Sequence, residues 1–215
     1  MAEEESNIES FKVVLVGESG VGKTSIITQF IDQTFQEDQQ STTGGTFSTK
    51  TVICDNGKIL KFEIWDTAGQ ERYRSLTKMF YKDANAAVMV YDITRKESFE
   101  ELKNYWAQQI KESSPEEIIL AIAANKSDLI DNEVVDEGEA RDFAKELGAI
   151  YCSTSATNIA GVTNLFEEVA KKYSGANSIT IKNDDDEPVE PTHNKKDTVK
   201  LDASKKKDGK KGCCK

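Results

Sequence analysis

Four consecutive apolar residues, Val13-Val14-Leu15-Val16, run into Gly17, and apolar positions then recur at Ile26, Ile27, Phe30 and Ile31. A continuous apolar run is the mark of a strand covered on both faces, and recurrence at three and four residues is one face of a helix. The pattern predicts a strand over residues 11–17 and a helix over 22–32. A polar stretch, residues 36–46, follows as a loop long enough to carry function. Phe62 and Ile64 then alternate with Lys61 and Glu63, and Asp55-Asn56-Gly57 supplies a hairpin turn. That pattern predicts two antiparallel strands at a sheet edge with one wet face.

The remainder repeats a strand–helix alternation. Residues 86–91 and 118–124 are continuous apolar runs, and between them Phe99, Leu102, Trp106 and Ile110 recur at helical spacing. Ala140, Phe143, Ala144 and Leu147 form another helix face, with Asp136 and Glu139 placed as an N-cap and its reciprocal partner. A short strand over 149–153 precedes a last helix with Val162, Leu165, Phe166 and Val169 on one stripe. The alternation predicts an α/β fold: a doubly wound, mostly parallel six-stranded sheet with one antiparallel edge strand and helices on both faces. Ligands of such sheets sit at the carboxyl ends of the strands.

After Ser174 the periodicity stops. Asn183-Asp184-Asp185-Asp186-Glu187, two prolines and repeated lysines bury too little surface to fold alone. The expected organisation is an acidic N-terminal extension over 1–10, one domain over 11–174, and a disordered tail over 175–215. The chain's 215 residues suit one domain plus a tail, and its apolar fraction of 37% is low for a wholly globular chain. A formal net charge of -10 argues against a nucleic-acid binder. The acidic start lacks the basic-then-apolar design of a signal peptide, and no apolar run is long enough to span a bilayer. Cys54 and Cys152 fall in strand-like segments and read as core residues, which suits a reducing, cytosolic setting.

The chemistry begins at Gly17-Glu18-Ser19-Gly20-Val21-Gly22-Lys23-Thr24, which fits G-x-x-x-x-G-K-[ST] between a strand and a helix. Glycines let the backbone fold tightly, so the amides from Ser19 through Ser25 and the helix dipole converge on one anion. Lys23 adds a point charge for β- and γ-phosphates, and the Thr24 hydroxyl can ligate Mg²⁺, making this the cradle of a P-loop NTPase. Asp66, at the end of its strand, suits a hold on Mg²⁺ through water. Gly69 lets a backbone amide approach a terminal phosphate, and Gln70 carries the donor and acceptor needed to orient an attacking water. Asn125-Lys126-Ser127-Asp128 closes a later strand, and a carboxylate at Asp128 accepts from the two donors on guanine's Watson–Crick edge, a pair adenine lacks. After the last strand, Ser155, Ala156 and Thr157 put a backbone amide near the guanine carbonyl. Phe35 either packs edge-on against the base or returns to the core.

With these residues the chain resembles the Ras superfamily of small GTPases, and within it the Rab family. Residues 11–174 carry the resemblance in the segments 17–24, Thr42, 66–71, 125–128 and Ser155-Ala156. Rab-like features are Lys61-Phe62-Glu63-Ile64-Trp65, Arg72-Tyr73-Arg74-Ser75-Leu76-Thr77, Phe80-Tyr81-Lys82 and Met89-Val90-Tyr91-Asp92-Ile93-Thr94. The resemblance implies a GDP/GTP switch with Mg²⁺ held by Thr24, Thr42 and Asp66, in which hydrolysis releases two loops. It implies slow hydrolysis, with Gln70 catalytic and an arginine finger supplied by a GTPase-activating protein. It also implies an exchange factor, a GDP-dissociation inhibitor, prenylation machinery and effectors that meet Phe47, Trp65 and Phe80. Without the family those three read as ordinary core or edge aromatics.

Departures are Thr43 where Rabs usually carry Ile, followed by Gly44-Gly45, and Thr157 where Lys is common. A GTP-loaded scaffold with negligible hydrolysis is the alternative, against which Gln70 and Thr42 stand. Lys205-Lys206-Lys207-Asp208-Gly209-Lys210-Lys211-Gly212 leads into Cys213-Cys214-Lys215, which is not a C-a-a-X box. The paired cysteines are an ending that Rabs use for double geranylgeranylation. Two lipid chains anchor stably, and each lysine adds about 1 kcal/mol toward an anionic leaflet. The expected location is the cytoplasmic face of intracellular membranes, endosomal by overall likeness, with a cytosolic pool.

Overall fold

The computed structural model describes residues 8–37, 39, 42, 45–67, 79–181 and 198–199. β1 (Ile8–Val16) lies at the centre of the sheet, paired in parallel with β3 (Ile59–Thr67) on one side and β4 (Ala86–Asp92) on the other. β5 (Ile119–Asn125) and β6 (Ile150–Ser153) continue the parallel order beyond β4. β2 (Gly45–Cys54) runs antiparallel to β3.

The β1 side chains alternate between two cores. Phe11, Val13 and Leu15 face α1 (Lys23–Asp32) and α5 (Ile159–Ser174), where Phe30 and Phe166 stack at 3.9 Å. Val14 and Val16 face the opposite layer, built from α2 (Lys96–Glu101), α3 (Ala107–Ser113) and α4 (Glu137–Glu146). Both faces of the central strands are therefore dry, as their unbroken apolar runs require. Phe99, Leu102, Trp106 and Ile110 are all buried as their spacing predicts, but a π-helical turn at Leu102–Trp106 interrupts the helix that carries them.

Two expectations change. The sheet has eight strands rather than six among the described residues, in the order β6-β5-β4-β1-β3-β2-β7, with β8 also on β2. β7 (Ile179–Ile181) lies in the stretch expected to be disordered, and pairs with Val52–Cys54; β8 (Thr198–Val199) pairs with Gly45 and Thr46. Strand β2 would otherwise present a row of unpaired amides and carbonyls, and these short segments cover part of it. Asp55 helps place the first of them, accepting from the Asn177 and Ser178 amides at 3.2 and 3.0 Å. A three-residue strand is too short for its alternation to stand out from a polar tail.

The second change concerns the start of α4. Asp136 caps it as expected, its Oδ1 accepting from the Glu139 amide at 2.7 Å. Glu139 does not reciprocate, because its carboxylate accepts from Lys103 Nζ at 2.6 Å on the neighbouring π-helical turn.

Candidate nucleotide site

The carboxyl ends of β1, β3, β4 and β5, and the turn after β6, meet along one edge of the sheet. A cavity of about 330 Å³ opens there, lined by Ser19, Gly20, Gly22, Lys23, Thr24, Ser25, Phe35, Thr42, Asn125, Lys126, Asp128, Ala156 and Thr157. All but three of the expected nucleotide-contacting residues line it: Val21 and Ser155 stand behind its wall, and Gly69 lies outside the described residues.

The phosphate loop owes its shape to glycine. Gly17 has φ 140°, and a Cβ there would lie 2.2 Å from the Val90 carbonyl oxygen of the adjacent strand. Gly22 has φ 96°, and its Cβ would meet Asn125 Nδ2 at 2.3 Å. Neither position admits a side chain without moving backbone or the base loop. Gly22 also stands at the cap of α1 and makes no side-chain cap hydrogen bond, whereas Asp136 and Asn158 cap α4 and α5. The first amides of α1 are thus left to an external anion.

Lys23 is buried, and its Nζ donates to the carbonyls of Gly17 and Glu18, both at 2.8 Å. An ammonium has three donors, so one remains for a ligand. Burial lowers its pKa to about 8, against the opposing charges of Asp66, Glu101 and Glu18. Thr24 Oγ1 donates to Asp66 Oδ2 at 2.6 Å, Thr42 Oγ1 lies 3.3 Å from that oxygen, and the two hydroxyls are 2.8 Å apart. The three expected metal-holding residues therefore converge on one point. Asp66 is 2% exposed, and burial raises its pKa despite the hydroxyls and Lys23. Its Oδ1 is buried without a hydrogen-bond partner. One carboxylate and two hydroxyls are hard oxygen donors, so the set suits Mg²⁺, which commonly keeps few protein ligands beside phosphate and water. Among the described residues no cluster of three or more His, Cys, Asp or Glu offers a cage built from protein alone.

At the opposite end, Asn125 Nδ2 donates to the Val21 carbonyl at 2.8 Å, tying the base loop to the phosphate loop. Thr154 Oγ1 donates to Asn125 Oδ1 at 3.2 Å. Asp128 accepts from Ser155 Oγ through Oδ1, and Ser155 Oγ in turn accepts from the Thr157 amide at 3.1 Å. Ser155 therefore positions Asp128, a role its place in the sequence did not disclose. Lys126 adopts φ 65° and pairs with Asp92 at 2.6 Å. Burial pushes the Asp92 carboxyl up, but hydrogen bonds from Lys126 and Thr94 outweigh it and hold the group below its usual range. Phe35 is 42% exposed at the rim and so does not return to the core.

Gln39 was not foreseen: it lines the cavity, and its Oε1 accepts from Ser25 at 2.9 Å. A lone glutamine in a polar loop carries no sequence signal for this. Away from the cavity, Phe47 and Trp65 form a cross-strand pair at 5.1 Å and Trp65 meets Phe80 at 5.4 Å, so the three expected aromatics form one partly buried surface. Gln70, Cys213 and Cys214 lie outside the described residues.

A glycine-shaped loop, a buried lysine and an uncapped helix at the end of a parallel sheet define a P-loop nucleotide-binding protein, and a carboxylate at the far end of its cavity suits guanine. A model of the Ras family matches residues 12–174. Human Ras-related protein Rab-31 is 44% identical over 181 residues, covering 81% of this chain and 92% of its own length. Human Ras-related protein Rab-22A is 44% identical over 165 residues, 77% of this chain and 84% of its own. The chain belongs to the Ras family, as a Rab-type small GTPase: a GTP hydrolase of vesicle trafficking that binds GDP and GTP.

Proposed function

We propose that the cavity holds GDP or GTP with the phosphates over residues 19–25 and guanine against Asp128, and that the γ-phosphate controls the loops containing Thr42 and Gly69. The observation that carries this is the joint placement of Thr24, Thr42 and Asp66 at one end of the cavity and Asp128 at the other. Thr24, Thr42 and Asp66 would hold Mg²⁺, which when bound offsets negative charge on the phosphate oxygens. Lys23 supplies the fixed cation beside them. Asn125 and Lys126 brace the base loop, and Ser155, Ala156 and Thr157 frame the base edge.

Gln70 orients the attacking water, and a GTPase-activating protein supplies the missing arginine. Phe47, Trp65 and Phe80 form the effector-facing surface, where aromatic anchors commonly dominate binding. An exchange factor, a GDP-dissociation inhibitor and the prenylation machinery complete the cycle. Geranylgeranyl chains on Cys213 and Cys214, with the neighbouring lysines, hold the protein on the cytoplasmic face of endosomal membranes. No helix among the described residues is long and apolar enough to cross a membrane.

The test is single-turnover hydrolysis of GTP with and without an activating protein. Gln70→Leu should lower the activated rate by about 10³-fold or more while GDP affinity stays within about twofold. Normal turnover by that variant would remove Gln70 from the mechanism. Intact mass from native membranes tests the lipid claim, which two unmodified cysteines would defeat.

A further inference from the structure

We propose that Arg95 is a positioning residue that pins the outer side of the phosphate loop and thereby slows nucleotide release. Arg95 follows β4 in the turn Asp92-Ile93-Thr94-Arg95. Its Nη2 donates to the Ser19 carbonyl at 3.0 Å and lies 3.3 Å from Glu18 Oε2, so one guanidinium grips two adjacent loop residues. Its Nε lies 3.5 Å from Asp92 Oδ2. Asp92 is 1% exposed and is itself fixed, accepting from the Thr94 amide and hydroxyl at 2.9 and 2.7 Å and pairing with Lys126 at 2.6 Å. Arg95 thus ties the phosphate loop to the strand end through one hydrogen bond, to Ser19, and ion pairs with Glu18 and Asp92 that are not hydrogen-bonded.

The tether bears on phosphate binding because a trans peptide is planar, with its carbonyl and amide pointing opposite ways. Holding the Ser19 carbonyl from outside aims the Gly20 N–H inward, toward the cavity that Gly20 lines. The loop needs such a hold. Gly17, Gly20 and Gly22 all have positive φ, and nothing lies within 4 Å of a Cβ built on Gly20. A guanidinium suits the task because its planar fork reaches a carbonyl and two carboxylates at once.

This rests on the guanine-nucleotide reading, and release of a fluorescent GDP analogue from the full chain with Mg²⁺ tests both. Arg95→Ala should release it about tenfold faster, the loss of one charge-assisted hydrogen bond. Arg95→Lys, which keeps the charge but loses the planar fork, should release it at a rate between those of wild type and Arg95→Ala. Glu18→Gln should accelerate release about threefold, and the double variant should be no faster than Arg95→Ala alone, because both act on one tether. GMP, which lacks the β-phosphate, should bind Arg95→Ala and wild type within about twofold of each other. Arg141→Ala, which breaks an exposed pair with Glu137, serves as the unchanged control. Wild-type release from Arg95→Ala, an equal loss for GMP, or multiplicative effects in the double variant would overturn the inference. If Arg95→Ala does not fold, Glu18→Gln decides by the same release assay, and a wild-type rate overturns the tether. A wild-type chain that retains no GDP analogue overturns the nucleotide reading itself.

Discussion

The two ends of the cavity are built on opposite plans. At the base end nearly every polar group already has a protein partner: Asn125 on Val21 and Thr154, Asp128 on Ser155, Ser155 on Thr157. At the phosphate end, buried charge outruns protein partners. Lys23 keeps a donor to spare, Asp66 Oδ1 has none, and the first amides of α1 are uncapped. Preorganised hydrogen bonds give a base pocket its selectivity, since a wrong base leaves them unpaired. Concentrated charge makes the other end respond to what it holds, because an anion and its counter-ion change the local energy by far more than a hydrogen bond does. Under the proposed function, one end would identify the ligand and the other would report its phosphate count.

The largest expected effect breaks the phosphate end. Lys23→Ala should lower GDP affinity by about 10³-fold, since removing one member of a buried charge arrangement costs about 3–5 kcal/mol. Equilibrium titration with GDP checks it, and a loss below tenfold would mean that the amides alone suffice. Asp128→Ala should follow at about 10²-fold, from guanine donors and Ser155 left without their acceptor. The same titration with ADP should show no comparable loss, because adenine lacks the pair of donors that the carboxylate would accept from.

Thr154→Val isolates the framework behind the base end. Thr154 is wholly buried and touches no ligand position, so the variant should cost about 1–2 kcal/mol of stability through the orphaned Asn125 oxygen. Thermal melting reads that loss, and an unchanged melting temperature would show that Asn125 does not need the bond. The smallest effect sharpens the claim of rigidity. Burial pushes the Cys152 thiol up to about 11, so its thiolate is scarce at neutral pH. In a Cys213→Ser, Cys214→Ser background, modification of Cys152 should be negligible at pH 8 and rise about tenfold per unit as pH approaches that value. Rapid labelling at pH 8 would show that the strand beneath the base end opens readily.

The central strands were legible because an apolar run between polar segments admits few alternatives once helical faces lie on either side. The phosphate loop was legible for a local reason: its glycines, lysine and threonine act within eight consecutive residues. Other features depend on partners remote in sequence. Ser155 meets Asp128 across 27 positions, and Arg95 meets Ser19 across 76. Glu139 shows the limit of a local rule, since the capping pattern was present but a lysine 36 residues away took its carboxylate. β7 escaped because three residues carry almost no periodic signal.

By itself, the order of residues determined which segments become strands and helices, which loop takes the glycine-shaped turn before the first helix, and which carboxylate was proposed for guanine. Each follows from backbone geometry or side-chain chemistry confined to a short window. Only the tertiary structure decided that Asp66, Thr24 and Thr42 share one point, that Ser155 braces Asp128, and that Arg95 grips the phosphate loop. Those contacts arise from the register of parallel strands, whose carboxyl ends bring distant residues to a common edge.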